Sequence, residues 1–255
     1  MRVQVLGCSG GIGGARHTTC LRVDDDTLVD AGTGAMEMDL DELVRIDRVF
    51  ITHSHLDHIA ALPLMVDTVG SMRGEPVVVH ASSAVIANLQ AHIFNWRIWP
   101  DFQRIPTVEA PFMHYREMAT GERVDLGGGR YIRALPVNHT VPAVGYQVGA
   151  PGGSLVFSGD THCCPEFWQA VNAIGDLRAL ILETAFTEGE RDIAIASKHL
   201  CPSLARDELA RLAHDVPVFI THLKPREEDR IMEEVGAAVT SHDVFRLRNG
   251  QTFEL

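Results

Sequence analysis

Three imidazoles and a carboxylate fall within the six residues His53-Ser54-His55-Leu56-Asp57-His58. Bound cations account for such density, because each histidine offers a ring nitrogen and the aspartate one or two oxygens. His53 and His55 can converge on one ion from a compact loop, and Asp57 and His58 on a second. Neither pair closes a four-coordinate site, so the remaining ligands must come from distant sequence. His139 in Val137-Asn138-His139-Thr140, Asp160 in Ser158-Gly159-Asp160-Thr161, and His222 after Val218-Phe219-Ile220-Thr221 are the candidates. A carboxylate can bridge two cations, which makes Asp160 the natural shared ligand. The expected sets are His53, His55, His139 and Asp160 on one ion, and Asp57, His58, Asp160 and His222 on the other. Nitrogen-rich donors without thiolate suit zinc, with manganese or iron as alternatives and magnesium disfavoured. His17, His92 and His242 stand alone and read as ordinary surface or hydrogen-bonded imidazoles.

The elements that must position these groups are legible as short apolar runs. Strands are expected over 2–6, 19–23, 27–30, 49–52, 77–80, 131–137, 143–148, 154–158, 180–183 and 216–221. Helices are expected over 37–44, 83–93, 166–174 and 204–214, with a further helix starting just after His58. His53, Asp160 and His222 each follow an apolar run by one to three residues. Two sheets with helices outside would bury such runs and gather their ends along one edge. No repeat or linker interrupts the chain, so residues 1–255 are expected to form one domain in two structural halves. The glycine-rich stretch Gly7 to Gly14 has neither a Rossmann spacing nor the lysine of a Walker loop. It reads as a tight loop passing near the metals, or as a backbone donor to a substrate phosphate.

Composition bounds the function. Thirty-four acidic residues against 22 basic ones give a formal charge of -12, which disfavours diffuse binding along nucleic acid. A small anion can still be held locally by metals. The expected partner is therefore a small anionic phosphodiester, with no extended nucleic acid, no membrane, and a homodimer left open. There is no apolar run of membrane-spanning length and no signal-peptide segment, so a cytoplasmic location is expected. Five cysteines without metal-knuckle spacing read as reduced, mostly buried thiols. Cys163 is near enough to Asp160 in sequence to touch the site.

The motif His53-x-His55-x-Asp57-His58 resembles the signature of the metallo-beta-lactamase superfamily. That resemblance implies an αββα sandwich with a binuclear site at one sheet edge, and the superfamily's later ligand positions match His139, Asp160 and His222. A histidine at position 55, where oxygen-reducing members carry glutamate, argues for hydrolysis. More narrowly, His53 to Ile59, Ile93 to Phe102, Phe157 to Thr161, Ser197 to Pro202 and Ile220 to Pro225 resemble segments of class II 3′,5′-cyclic-nucleotide phosphodiesterases. Ala60-Ala61 departs from that family, which often has a glycine before the leucine.

The chemistry implied is attack of a dimetal-activated hydroxide on phosphorus, opening cAMP or cGMP to the 5′-monophosphate. Asp57 would bind metal and orient the nucleophile. His199, in a polar break outside the metal set, is the candidate acid for the leaving oxygen, with Glu183 as its carboxylate partner. A helix-capping role is the ordinary alternative for His199. Asn95 and Trp96 belong to an aromatic segment (Phe94, Trp96, Trp99, Phe102) that could pack as a flap or wall a nucleobase. Lys224 could face the phosphate or solvent. The nearest competing reading is a transfer-RNA 3′-processing endonuclease. Other hydrolases of the same fold acting on a phosphodiester, ester or thioester come next, and a non-enzymatic metal-binding protein last.

Overall fold

Residues 1–255 are all described by the computed structural model. Alternation makes β1 (Arg2–Gly7) one-sided: Val3 and Val5 are fully buried while Arg2 faces solvent. It pairs antiparallel with β2 (Cys20–Val23), which turns at the Asp24-Asp25-Asp26 corner into β3 (Thr27–Val29). The helix expected over 37–44 is split. A 3-10 turn covers Thr33–Glu37, and α1 (Leu40–Val44) restarts behind a capping box in which Asp39 and Glu42 satisfy each other's backbone N–H. Then come β4 (Arg48–Phe50), α2 (Leu56–Ile59), α3 (Leu62–Val69), β5 (Val77–Ala81), α4 (Ser83–His92) and β6 (Met113–Glu117).

The second sheet is built from β7 (Arg123–Gly127), β8 (Arg130–Pro136), β9 (Val144–Ala150) and β10 (Gly153–Phe157). After α5 (Pro165–Asn172) follow β11 (Leu177–Glu183), α6 (Arg191–Ser197), α7 (Pro202–Leu209), β12 (Val218–Thr221), α8 (Glu228–Ala238) and β13 (Val244–Arg246). The last strand, β14 (Thr252–Glu254), returns to the first sheet and pairs antiparallel with β1. The sheet orders are β14-β1-β2-β3-β4-β5-β6 and β13-β12-β11-β10-β9-β8-β7. The two halves read from sequence are thus interlocked by the final strand.

The architecture is an αββα sandwich of two mixed sheets. Val3, Val5, Leu21, Tyr146 and Ile181 belong to the apolar layer between the sheets. Met65 and Leu89 pack α3 and α4 outside the first sheet, while Phe167, Leu204 and Ile231 pack α5, α7 and α8 outside the second. Each aliphatic side chain so buried contributes about 1.5–3 kcal/mol. The hydroxyl of fully buried Tyr146 donates to the Ile51 carbonyl at 2.8 Å, tying the second sheet to the strand that leads into the histidine motif.

Strand direction explains why distant residues meet. β3, β4 and β5 are parallel, as are β10, β11 and β12. β8 is antiparallel to β9, which is antiparallel to β10, so β8 runs with β10. The carboxyl ends of β4, β8, β10, β11 and β12 therefore lead to His53, His139, Asp160, Glu183 and His222. The expected helix over 204–214 stops at Leu209, and β6, β7, α6, α8, β13 and β14 were not anticipated. No helix is long and apolar enough to cross a membrane.

Candidate active site

The clustered histidines are aimed by hydrogen-bond partners at strand and helix ends. His53 Nδ1–H donates to the Thr52 hydroxyl at 3.0 Å, and that hydroxyl donates to Asp30 at 2.9 Å. His58 Nδ1–H donates to Asp30 Oδ2 at 2.7 Å, and His139 Nδ1–H to the Lys198 carbonyl at 3.1 Å. These acceptors assign the proton to Nδ1 in all three rings, leaving Nε2 as a lone pair. Nε2 of His53 and of His139 lie 3.1 and 3.2 Å from Nδ1 of His55. His55 has at most one proton there for two facing lone pairs, so the three nitrogens crowd a point that a cation satisfies.

Asp160 divides its oxygens between two clusters. Oδ2 faces His53 at 3.6 Å and His139 at 3.9 Å, whereas Oδ1 faces His58 at 3.3 Å and His222 at 3.5 Å. Asp57 Oδ2 lies 3.9 Å from His58 Nε2 and 3.7 Å from His222 Nε2. The ligand atoms of His53, His55, His139 and Asp160 all fall within 4.8 Å of one another, and so do those of Asp57, His58, Asp160 and His222. His58 Nε2 and His222 Nδ1 are buried without a hydrogen-bond partner. Orphaned buried nitrogens are costly, so the donor set fits two divalent cations with Asp160 between them.

The electrostatics agree. Burial pushes the Asp160 carboxyl up, but the His222 and His58 imidazoles outweigh it and hold the group well below the usual carboxylate range. Burial opposes a proton on His58, yet Asp160 and Asp30 raise its pKa well above the ordinary value. His53 is driven well below its ordinary pKa by burial and by the His58 charge, and His222 is lowered to about 3, chiefly by burial. The pocket thus favours ionised Asp57 and Asp160 and neutral His53, His55, His139 and His222, the forms that bind metal. His58 is the exception and gains a proton that a bound cation would displace.

Beside this double cluster sits a buried dyad. His199 Nδ1–H donates to Glu183 Oε1 at 2.8 Å, and the His199 ring stacks on His222 (5.1 Å between centroids) and meets His139 edge-on (5.0 Å). Glu183 is fully buried and also accepts from the backbone N–H of Thr161 and Leu200. Burial lowers the His199 pKa, but Glu183 more than compensates and the net shift is upward. Burial likewise raises Glu183.

Other expected residues are placed differently. Asn95 is occupied locally: Oδ1 accepts from the N–H of Arg97 and Ile98, and Nδ2 donates to the Ala91 carbonyl. Trp96 is 60 % exposed with φ of 63°, on the turn that follows α4. That helix touches the motif loop, where Asn88 donates to the Ser54 hydroxyl at 3.0 Å. Phe94 and Phe102 are core residues. Lys224 Nζ donates to the Gly10 carbonyl at 3.1 Å. The Ser9 and Gly10 N–H groups donate to the carbonyls of His17 and Leu223, so the glycine-rich loop braces the site. A Cβ on Gly10 would lie 2.3 Å from the His222 carbonyl oxygen. Cys163 contributes its carbonyl, which accepts from Asn138.

Three contributors escaped sequence reasoning: Asp30, Thr52 and Lys198. For Asp30 a signal existed, a carboxylate at the end of an apolar strand and immediately before Ala31-Gly32. For Lys198 there was none, because its carbonyl, not its side chain, orients His139.

Residues 26–240 match the family described as a beta-lactamase superfamily domain. The chain belongs to this superfamily. A probable 3′,5′-cyclic-nucleotide phosphodiesterase of Yersinia pestis is 24% identical over 207 residues, 71% of this chain and 57% of that protein. A ribonuclease Z of Natronomonas pharaonis is 29% identical over 155 residues, 58% of this chain and 47% of its own length. The chain therefore spans about half the length of these two curated relatives. Unliganded yeast PDE1 shares the fold, with a TM-score of 0.81 at 18% identity over 100% of this chain and 99% of that one. Ribonuclease Z recurs among the other relatives, from archaea, Myxococcus xanthus and wheat.

That recurrence corrects one expectation. The charge of -12 led to no extended nucleic acid as a partner, and the ribonuclease Z relatives overturn it. Net charge sums the whole surface, whereas a phosphate chain responds to the field at the catalytic edge.

Proposed function

We propose that this superfamily member is a dimetal phosphodiester hydrolase, with RNA cleaved at a 3′ precursor segment as the leading substrate. The observation that carries the phosphodiester reading is the His199–Glu183 dyad packed against both clusters. An alkoxide leaving from phosphorus needs a proton, whereas a carboxylate or thiolate leaving group needs far less help. Ribonuclease Z relatives support RNA over other phosphodiesters, since one of them aligns over 92% of this chain and 90% of its own length.

Two divalent cations held by His53, His55, His139, Asp160 and by Asp57, His58, Asp160, His222 would supply Lewis-acid charge at phosphorus and acidify a water. The chain's own groups do the rest. Asp57 accepts a hydrogen bond from the attacking water and sets its direction. Glu183 fixes the His199 ring through Nδ1 and favours its protonated form, leaving Nε2–H to donate to the departing oxygen. Trp96 offers an exposed aromatic face to a base flanking the scissile bond, and Asn95 shapes the turn that presents it. Lys224 adds positive charge where the Gly10 loop meets His222.

A second reading, hydrolysis of 3′,5′-cyclic nucleotides, rests on the Yersinia pestis relative and on the Ile93 to Phe102 and Ser197 to Pro202 segments. Zinc-loaded and manganese-loaded protein should be incubated with precursor transfer RNA, cAMP, cGMP, 2′,3′-cyclic nucleotides and bis(p-nitrophenyl) phosphate. Cleavage of the RNA at a defined 3′ position, with cyclic nucleotides turned over slowly, is the expected result. Fast cAMP or cGMP turnover with intact RNA would move the second reading to first place. Inertness toward every phosphodiester would end both.

A further inference from the structure

Lys198 has a left-handed backbone (φ 54°, ψ 49°) at the carboxyl end of α6, a conformation that residues other than glycine and asparagine seldom adopt. Its ammonium donates to Asn138 Oδ1 and to the His139 carbonyl, each at 3.0 Å, while its own carbonyl accepts from His139 Nδ1. One residue therefore grips His139 at the ring and at the main chain. The next residue is His199, whose carbonyl accepts from His162 Nδ1 at 3.0 Å. The loop carrying Asp160 closes the circle: its His162 N–H donates to the Asn138 carbonyl at 2.7 Å, and its Thr161 hydroxyl accepts from the Asn138 N–H.

We infer that Lys198 is a positioning residue that locks His139 in its metal-binding orientation and sets its distance from the His199 dyad. The geometry divides the labour. The left-handed turn aims the carbonyl at Nδ1, so that Nε2 faces the cluster. The side chain then pins the Asn138 side chain and the His139 main chain through its ammonium. A helix end that only needed to stop would be served better by glycine, which adopts this conformation without steric cost. Lysine at this position is explained by the two acceptors its ammonium reaches.

Lys198→Met and Lys198→Gly separate tether from turn. Methionine keeps the apolar stem and the backbone cost but loses both hydrogen bonds. Glycine loses the hydrogen bonds and removes the backbone cost. This role rests on the dimetal reading, so calorimetric titration of metal-free protein with zinc is run on wild type and both variants. Wild type should take up two ions. Both variants should bind the ion of the His139 cluster about 10–100-fold more weakly, the usual effect of removing a group that orients a ligand, and keep the other affinity. Melting temperatures of the metal-free proteins should be unchanged or higher in Lys198→Gly. Wild-type affinities in both variants, or equal weakening at both ions with a falling melting temperature in Lys198→Gly, would overturn the role. A wild type that takes up no ion at the His139 cluster would instead overturn the metal reading beneath it.

Discussion

The catalytic edge and the segment that follows α4 carry the same kinds of residue, polar groups among aromatics, in opposite physical settings. At the edge, His53, His58, Asp160 and Glu183 are at most 2 % exposed, and each faces a group that follows or ends another strand: Asp160 for His53, Asp30 for His58, His58 for Asp160 and Thr161 for Glu183. On the turn after α4, Trp96 and Ile98 are 60 % and 65 % exposed, and Asn95 hydrogen-bonds only to residues within four positions of itself. Groups that must meet one point to within a fraction of an ångström are buried and cross-braced. Trp96, proposed above to meet a base, sits instead on a locally held turn, a setting that tolerates change. Chemistry thus belongs to the edge, and the contrast predicts that damage there changes metal uptake and kcat, while damage at the turn changes KM.

The largest effect should come from Asp160, whose two oxygens face both clusters. Asp160→Ala should abolish uptake of at least one ion and remove turnover, as read by metal content and steady-state rates. Full activity in that variant, or in wild type stripped of divalent ions, would break the comparison at its root. His199→Ala comes next. It should retain both ions and slow hydrolysis by roughly 10²–10⁴-fold. That loss should shrink with bis(p-nitrophenyl) phosphate, whose leaving group needs little protonation. An equal loss on every substrate would assign His199 to support of the cluster and not to proton transfer.

A smaller effect belongs to Asp30, the carboxylate beneath His58 and Thr52. Asp30→Asn keeps the shape and removes the charge that orients the Nδ1–H donors. Metal affinity should fall about 10–100-fold, concentrated in the His58 cluster, with the fold intact by circular dichroism. Unaltered zinc affinity would show that packing alone aims His58.

How much of this was legible depends on whether the information is local. The two His/Asp clusters were readable because the motif packs four metal-ligating groups into six residues, and His139, Asp160 and His222 each closely follow a strand. The sheets were readable where strands are continuously apolar, as in β10 and β12. β6 was missed because its sequence, Met113-His114-Tyr115-Arg116-Glu117, is polar at an exposed sheet edge. α6 was missed because its Ile193 and Ile195 face solvent and carry no helical stripe. The roles of Asp30 and Lys198 arise only from pairings 28 and 59 residues apart, which no spacing rule reveals. The charge argument failed for the opposite reason, since a sum over the whole chain was applied to one edge.

The mildest perturbation tests the exposed side of the comparison. Trp96 lies outside both His/Asp clusters, and its ring is available on a turn whose Asn95 hydrogen bonds it does not supply. Stacking of one base on an aromatic side chain is worth about 1–3 kcal/mol. Trp96→Ala should therefore raise KM for RNA or a cyclic nucleotide by several-fold to about 100-fold, with kcat and metal content unchanged. Bis(p-nitrophenyl) phosphate, which has no nucleobase, should respond less. A fall in kcat accompanied by lost metal would mean that the turn supports the edge through α4 and the Asn88–Ser54 contact, and the division between buried chemistry and exposed recognition would not hold. An unchanged KM for every nucleotide would place base recognition elsewhere and leave Trp96 as a surface residue.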